Sequence, residues 1–315
     1  MKIGLDIMGG DFAPEAVVEG AILAQEYLTT GEKLVLFGPR YVIKEMLLRK
    51  KANPDAFIIE HAPEVIDMHD HPAKAFARKQ NSSISIGFKM LARGSIDGFA
   101  SAGNTGAMFA GAMQSVKITP GVLRPAIAAF YPTLNGKSNL ILDVGLNPDS
   151  KPDVLYQYAL LGSIYYQHIN KVDEPKVGLL NIGKEEGKGN MASKSTYELM
   201  KDSHEFNFIG NIEGNELYDY EKVDVIVADG FAGNIAIKQA ESFFSMIKHR
   251  RIEDEFFNRF NFENYGGTPI LGINGNVVIG HGISNKNAIA NMVLQTKQLI
   301  EGRLSSRIKE YFNYE

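Results

Sequence analysis

Cysteine is absent from the 315 residues of this chain. The chain can therefore form no disulfide, no thiolate metal site and no cysteine nucleophile, and this composition fits a reducing cytoplasm. Long apolar runs are also missing, because none approaches the roughly 20 residues that a helix needs to cross a bilayer. The opening residues, Met1 to Asp6, read as the start of a strand and not as a signal peptide. We expect a soluble, cytoplasmic protein.

A strong charge of either sign is lacking as well. The formal net charge is -4 and 22% of the residues are charged, which gives no reason to expect nucleic-acid binding. The hydrophobic content of 44% is that of an ordinary globular protein, and the length allows one large or two modest cores. Because no repeat, low-complexity run or linker interrupts the sequence, we predict a single domain over residues 1–315.

Short apolar segments alternate with helical segments, which predicts a mainly parallel sheet with helices on both faces. Two segments, 126–131 and 139–143, are joined through Asn135-Gly136, a dipeptide that favours hairpin turns. The clearest helix begins at 150–153, where apolar residues then follow at helical spacing. The other predicted strands are 3–7, 34–37, 57–60, a short one that begins at Asp97, 177–181, 223–227 and 277–279. The other predicted helices are 14–28, 41–51, 84–93, 107–117, one that begins at Ile235, and 287–301.

The stretch 97–107 passes from a strand through a glycine-rich turn into an apolar helix that runs to about Lys117. The first turn of a helix has free N–H groups and a positive dipole end, so it attracts an anion. Gly103 and Gly106 lack the Cβ atoms that would keep an anion away from the backbone. Asn104 and Thr105 are N-cap residue types that could also bind a phosphate oxygen. An ordinary capped helix is the alternative interpretation.

Three further strand ends carry small, polar, glycine-rich loops, at 9–11, 183–190 and 230–234. Ligands of open parallel sheets bind at the carboxyl ends of the strands, so all four loops could face one phosphate-binding crevice. Common nucleotide motifs do not account for them. The segment 183–188 is one residue short of a P-loop, and neither a G-x-G-x-x-G nor a G-x-S-x-G pattern occurs where it is needed.

Two histidine-containing segments have alternative interpretations. His69-Asp70-His71 could bind a metal, but it stands in a polar loop before Pro72, so a solvated turn is the better interpretation. We predict no metal site. His281 follows a strand, and it could either contact a ligand or serve a structural role there.

A set of segments spread over nearly the whole chain forms one recognisable pattern. They are DIMGGDFAP (6–14), HAPEVIDMHDHPAKAFARKQNSS (61–83), SAGNTGA (101–107), LDVGLN (142–147), GLLNIGKEEGKGN (178–190), FIGNIEG (208–214), DGFAGNIAIK (229–238), YGGTPILG (265–272) and His281-Gly282. Together these segments resemble the bacterial phosphate acyltransferase family, PlsX, which makes acyl phosphate from acyl carrier protein thioester and inorganic phosphate. A weaker similarity to phosphotransacetylases, at 101–107, 124–126 and 232–238, points to the same chemistry.

The resemblance implies a three-layer α/β/α Rossmann-like fold of the isocitrate and isopropylmalate dehydrogenase type, mainly parallel with some antiparallel strands. It also implies a homodimer with peripheral membrane association at the inner face of the cell membrane, which feeds phospholipid synthesis. Phosphate is itself the nucleophile in this reaction, so no covalent enzyme nucleophile, metal or other cofactor is expected. The chain departs from the family at Phe12, Lys184 and 283–285, and the region 238–265 is shorter than usual.

The implied reaction needs phosphate held against the thioester carbonyl, which positioning and electrostatics can achieve. We expect Asn104, Asn181 and Asn234 to orient phosphate or stabilise the oxyanion, and Asp229 to act as a base, an orienting group or only a helix cap. Arg78, Lys79 and Lys184 are the candidate cations, each of which could equally be a solvated charge. The predicted catalytic residues are Asp229, Asn234 and Asn104, and the predicted phosphate-binding residues are Gly9, Gly10, Asp11, Arg78, Lys79, Ser82, Ser83, Gly103, Thr105, Gly106, Asn181 and Lys184.

The second substrate implied by the resemblance is acyl carrier protein, an acidic protein that should dock on basic groups. Lys248, Arg250 and Arg251 form the candidate patch, and a solvated helix face is the alternative. The surrounding segment 239–264 is rich in aromatic residues, and we rank a dimer interface ahead of an acyl-chain groove or a membrane contact. A short-chain phosphotransacetylase that uses acyl-CoA, an oxidoreductase on a related fold and a non-catalytic scaffold that binds acyl carrier protein are the competing functions.

Overall fold

The computed structural model describes residues 1–219 and 221–313. The strands are β1 (Lys2–Asp6), β2 (Lys33–Gly38), β3 (Ile58–His61), β4 (Gly98–Ser101), β5 (Ala126–Pro132), β6 (Ser138–Leu142), β7 (Lys176–Leu180), β8 (Asn207–Ile212), β9 (Val225–Val227), β10 (Gly267–Leu271) and β11 (Asn276–Gly280). The helices are α1 (Glu15–Gln25), α2 (Arg40–Arg49), α3 (Pro72–Arg78), α4 (Ser83–Ala92), α5 (Thr105–Gly111), α6 (Pro152–Asn170), α7 (Met191–Met200), α8 (Gly230–His249), α9 (Glu255–Asn258), α10 (Lys286–Glu301) and α11 (Leu304–Phe312).

The chain divides into two compact units. The first unit comprises Met1–Ile118 and Phe262–Ser305, and the second comprises Thr119–Asn261 together with the described residues from Ser306 onward. The single catalytic domain that the sequence suggested over 1–315 stays a prediction, and its residues 220, 314 and 315 lie outside the described part of the chain.

The sheet of the first unit has the strand order β3-β2-β1-β4-β11-β10. The first five strands of this order run parallel, while β10 pairs antiparallel with β11. In the register of the central pairs, Ile3 lies opposite Gly98 and Gly98 lies opposite Asn276. The carboxyl ends of β1, β4 and β11 therefore meet at one edge of the sheet.

Helices cover both faces of this sheet. A Cβ atom on Gly98 would contact Thr296 of α10, whereas the ring of the next residue, Phe99, lies against Gly87 of α4. Successive residues of a strand point to opposite faces, so α10 and α4 lie on opposite sides of the sheet. On the α4 side, the buried rings of Phe99 and Phe88 pack edge to face with centroids 5.2 Å apart. The predicted three-layer α/β/α arrangement is confirmed.

The second unit repeats this scheme with the strand order β5-β6-β9-β7-β8. Its strands are parallel except at the hairpin of β5 and β6. Helix α6 packs closely on β6 and β9, because Gly162 leaves room for the side chains of Leu142 and Val225. The predicted mainly parallel sheet with some antiparallel strands is confirmed in both units.

Several predicted elements are found where the residue pattern placed them. The hairpin turns through Asn135-Gly136, where Gly136 has a φ of 91° that favours glycine, and α6 begins at Pro152. The helix predicted to run to Lys117 instead becomes a π-helix over Ala112–Val116. Strands β8 and β10 and helices α7 and α11 were not predicted. Pro269 in β10 and Gly210 in β8 are weak strand formers, so the residue pattern of these two segments does not indicate a strand.

In the part of the chain that the structure describes, no helix is both long enough and apolar enough to cross a membrane.

Candidate functional site

Three loops meet at the carboxyl edge of the first unit, and together they form what we call the loop cluster (residues 7–14, 101–106 and 281–284). The amide of Asp11 donates to the carbonyl of Gly282 at 2.7 Å, which joins the first loop to the third. Gly9 lies against Gly103 so closely that a Cβ on Gly9 would stand 2.6 Å from the Gly103 nitrogen. The three loops are therefore in direct contact.

A buried carboxylate lies beneath the first two loops. Asp6, the last residue of β1, accepts hydrogen bonds from the Ser101 hydroxyl at 2.7 Å and from the Met8 amide at 3.0 Å. The Ser83 hydroxyl also bonds to Asp6. Burial raises the pKa of the Asp6 carboxyl, and the hydrogen bonds from Ser83, Ser101 and Met8 oppose that rise. The Ser101 oxygen in turn accepts from the Gly103 amide at 2.9 Å.

Asn104 is buried at the start of α5, where its side chain makes contacts on both sides. Its oxygen caps the helix by accepting from the Ala107 amide at 3.0 Å. Its amide group donates to the carbonyls of Asp67, Met68 and Asp70 at 3.0 to 3.3 Å. The predicted catalytic residue thus attaches the 61–72 loop to the loop cluster. Its catalytic role stays a prediction.

The backbone of the loop cluster presents amide groups that no protein acceptor uses. Among the described residues, the amides of Gly10, Thr105 and Gly106 have no hydrogen-bond partner. Gly10 has a φ of 107°, a conformation that favours glycine. A Cβ on Gly106 would stand 2.5 Å from Pro72, so contact with the protein itself explains this glycine. Unpartnered amides at the start of a helix are suited to binding an anion.

The two predicted cations of this unit differ in their surroundings. The Lys79 ammonium group donates to Asp70 at 2.6 Å and to the Val65 carbonyl at 2.7 Å. The hydrogen bond to Asp70 raises the pKa of Lys79 and lowers that of Asp70. Arg78 is exposed, and it has no polar partner in the described part of the chain. Of these two residues, Lys79 is neutralised by a carboxylate and Arg78 is not.

The two predicted serines of this unit lie at the start of α4. Ser82 caps the helix, because its oxygen accepts from the Ser85 amide at 3.2 Å. Ser83 is buried and bonds to Asp6, as described above. Both side chains thus have protein partners, and their assignment to phosphate stays a prediction.

In the second unit, Asp229 and Asn234 flank the start of the 20-residue helix α8. Asp229 caps the helix, because its side chain accepts from the Ala232 amide at 2.8 Å. Asn234 is exposed and donates to the Val144 carbonyl at 3.1 Å. Asp229 is therefore a helix cap, one of the roles expected for it. Its role as a base or an orienting group stays a prediction.

A second buried carboxylate, Asp143, lies beside the start of α8. It accepts from the amides of Ile127 at 3.0 Å and Asn147 at 2.6 Å. Burial raises the pKa of Asp143, and these backbone hydrogen bonds oppose the rise. A Cβ on Gly230 would stand 2.8 Å from the Asp143 carboxylate, so this loop and the helix start fit closely.

The 183–190 loop of the second unit is attached to its neighbours by ion pairs and amide bonds. Lys184 and Lys222 both bind the buried Glu216, at 2.9 and 2.8 Å. Burial disfavours the ionised Glu216, but the hydrogen bonds from Lys222 and Lys184 prevail and lower its pKa to about 2. Asn181 donates to the Asn211 side chain at 3.1 Å and to the Lys188 carbonyl at 3.2 Å. Lys184 is thus already paired.

The predicted docking residues stand at the carboxyl end of α8 and just beyond it. Lys248, Arg250 and Arg251 are exposed, and the Lys248 ammonium group lies 5.5 Å from the centre of the Phe244 ring. Among the described residues, none of these three cations forms an ion pair. Met246, on the same helix, is also exposed.

Asp6 and Asp143 are not among the predicted site residues. Both are acidic residues at the carboxyl end of an apolar strand, and that position was the available signal. Asp70, in the histidine-containing loop, binds Lys79, and no group of potential metal ligands was found among the described residues. The gathering of all four glycine-rich loops in one crevice stays a prediction, because two loops belong to each unit.

Replacing Glu216 by Gln is expected to destabilise the protein in a pH-dependent way. The folded pKa of about 2 lies below the ordinary value of 4.5. The stabilisation is therefore complete above pH 4.5 and disappears as the pH falls through about 2. Both lysine partners are about half exposed. We therefore expect a loss of only about 1–2 kcal/mol at pH 7.

Urea unfolding of both proteins at pH 7 and at pH 3.5 measures this difference. Glu198→Gln is the matched control, because Glu198 is exposed and its one ion pair among the described residues is with Lys201, one turn away. The control should change the free energy of unfolding by less than about 0.5 kcal/mol. An equal effect of Glu216→Gln at both pH values would contradict the account.

The sequence was found to be similar to those of a known protein family. The sequence model of the family described as "Fatty acid synthesis protein" matches residues 1–307. The phosphate acyltransferase of Dictyoglomus turgidum is 40% identical over an alignment that covers 99% of this chain and 98% of that protein. This similarity extends over both units.

Solved structures agree with the fold. The EutD phosphotransacetylase from Staphylococcus aureus matches with a TM-score of 0.65 at 16% identity, covering 95% of this chain and 94% of that one. A 4-hydroxythreonine-4-phosphate dehydrogenase from Klebsiella pneumoniae matches with a TM-score of 0.54 at 10% identity, covering 95% and 98%. These likenesses support the predicted Rossmann-like class. With the sequence similarity above, the chain belongs to the fatty acid synthesis protein family, whose relatives are named phosphate acyltransferase, and it is an acyltransferase.

Proposed function

We propose that this acyltransferase moves a fatty acyl group from acyl carrier protein to inorganic phosphate and so supplies acyl phosphate for phospholipid synthesis. The observation that carries the proposal is the group of unpartnered amides of Gly10, Thr105 and Gly106 in the loop cluster. Backbone N–H groups that no protein oxygen uses are the donors that an oxyanion such as phosphate requires. Arg78, on the same unit, is exposed and has no polar partner among the described residues, so it supplies a free positive charge.

The proposed reaction needs no enzyme nucleophile. An oxygen of bound hydrogen phosphate attacks the thioester carbonyl carbon, the C–S bond breaks, and the thiolate leaves with acyl carrier protein. The proton that phosphate loses balances the proton that the thiolate gains. Holding phosphate close to the thioester lowers the entropic part of the barrier, and hydrogen-bond donors stabilise the oxyanion that forms. The residues proposed for these tasks are those already named, with Asp229, Asn234 and Asn104 in the catalytic group.

The side-chain contacts favour some members of the proposed set over others. Lys79 and Lys184 are already paired with carboxylates, so either would have to break an ion pair to reach phosphate. Ser82 and Asn181 likewise bond to neighbouring protein atoms. The backbone amides and Arg78 have no such competition, and we assign them the larger share of phosphate binding.

The partners are proposed on the basis of charge and exposed apolar surface. Lys248, Arg250 and Arg251 are exposed cations that suit an acidic carrier protein. Phe243 and Met246 expose apolar surface on the same helix. A second copy of the chain, and the surface of a membrane, are the proposed partners of this apolar surface within segment 239–264.

Incubation with long-chain acyl carrier protein thioester and phosphate tests the proposed function. We expect phosphate-dependent acyl phosphate, which hydroxylamine traps as the hydroxamate. Product from short acyl-CoA but not from the carrier protein thioester would favour a phosphotransacetylase. No hydroxamate from either thioester would contradict both transfer functions and leave the non-catalytic scaffold.

Charge reversal tests the docking surface separately. Lys248→Glu combined with Arg250→Glu should raise KM for the acyl carrier protein thioester about tenfold and weaken its salt dependence, because electrostatic attraction is lost. The KM for phosphate should not change. Lys44→Glu combined with Lys51→Glu is the matched control with the same change of charge, since both are exposed lysines of the other unit. An equal effect of both charge reversals would contradict a local docking surface.

A further inference from the structure

The loop cluster depends on one buried carboxylate, Asp6, whose hydrogen-bond donors come from three different segments of the chain. Met8 belongs to the first loop, Ser101 ends β4, and Ser83 begins α4. Each of the three donates a hydrogen bond to Asp6. No substrate can reach this group directly, since Asp6 is 1% exposed. Any influence on the reaction must therefore pass through its neighbours.

The hydrogen-bond directions fix which chemical group can occupy this position. The Met8 amide can only donate. The Ser101 oxygen already accepts from the Gly103 amide, so its proton is directed to Asp6. A carboxylate offers about four acceptor sites and can satisfy three donors, whereas an asparagine side chain offers one oxygen and two N–H donors. Asparagine has nearly the same shape and the wrong hydrogen-bonding pattern.

The same carboxylate also fills the space beneath the two touching glycines. Cβ atoms added at Gly9 and Gly103 would stand 2.6 and 3.2 Å from the same Asp6 oxygen. The Gly103 amide donates to the Ser101 hydroxyl, which donates to Asp6, so these bonds hold the 102–103 peptide, two residues before the unpartnered amide of Thr105. On the other side, the Met8 amide holds the peptide that leads to Gly10.

We infer that Asp6 is a positioning residue for phosphate: through Ser101 and Met8 it orients the amides of the loop cluster without touching the substrate. This inference rests on the proposed function, because it assigns phosphate to those amides. Hydrogen-bonded chains of this kind reinforce one another in a buried setting, so removing one member weakens the others. The sequence resemblance does not carry the inference, which stands on the hydrogen bonds around Asp6.

The test measures KM for phosphate and kcat separately in Asp6→Asn and in Ser101→Ala, each at saturating acyl donor. We expect Asp6→Asn to raise KM for phosphate about tenfold or more, with kcat within about threefold of the unmodified enzyme. Ser101→Ala should raise the same KM by a smaller factor. The double variant should be no worse than Asp6→Asn alone, because both act through one chain of hydrogen bonds.

Ile43→Val provides the control for a general loss of stability. Ile43 is fully buried in α2 of the same unit, and this change removes one buried methylene-sized group, which lowers stability. It should lower the unfolding midpoint and leave KM for phosphate unchanged. A KM effect of Ile43→Val as large as that of Asp6→Asn would overturn the inference.

Unchanged KM for phosphate in both Asp6→Asn and Ser101→Ala would also overturn it. If Asp6→Asn does not fold, Ser101→Ala and calorimetric titration with inorganic phosphate decide the question, and unchanged phosphate affinity counts against the inference. These outcomes differ from failure of the proposed function, in which the unmodified enzyme itself forms no acyl phosphate.

Discussion

The hydrogen bonds that converge on Asp6 are the interaction on which the candidate site depends. A carboxylate without solvent is costly unless donors surround it, and here three donors from three different segments do so. These hydrogen bonds hold Met8, just after β1, and Ser101, at the end of β4, next to Asp6. The close contact of Gly9 with Gly103 follows from the same arrangement. The unpartnered amides of the loop cluster are its outcome.

The second unit uses a related device with different donors. Asp143 is also a buried acid at the end of an apolar strand, but the backbone amides of Ile127, Leu146 and Asn147 surround it. The loop lies against the first turn of α8, where the Gly230 amide donates to the Asn147 carbonyl and where Asp229 and Asn234 stand. Each unit thus uses a buried carboxylate to shape a strand-to-helix connection. The family similarity extends across both connections.

Sequence patterns were sufficient for the fold class and for most of its elements. Alternating apolar segments gave the parallel strands, and Asn135-Gly136 gave the hairpin, because local chemistry decides these features. Strands β8 and β10 were not predicted, because pairing with neighbouring strands outweighs the poor strand propensity of Gly210 and Pro269. Such pairing joins residues far apart in the chain, and a local pattern does not contain it.

The candidate site was predicted less completely, for a physical reason. Residue type and position indicated that Asn104, Lys79 and Lys184 were polar groups near glycine-rich turns. Their partners, however, come from distant segments: Asn104 donates to carbonyls of the 61–72 loop, and Lys184 pairs with Glu216. Whether a polar side chain is free for a ligand depends on these tertiary contacts. A sequence pattern identifies a hydrogen-bond donor, but it does not show which acceptor in the folded protein that donor already binds.

A crystal structure of the enzyme with inorganic phosphate tests the central claim most directly. The account predicts phosphate within about 3 Å of the amides of Gly10, Thr105 and Gly106, a normal hydrogen-bond distance. It also predicts that Asp6 keeps its bonds to Ser101 and Met8 in that complex. Phosphate bound instead at a site that makes no contact with residues 7–14 or 101–106 would contradict it.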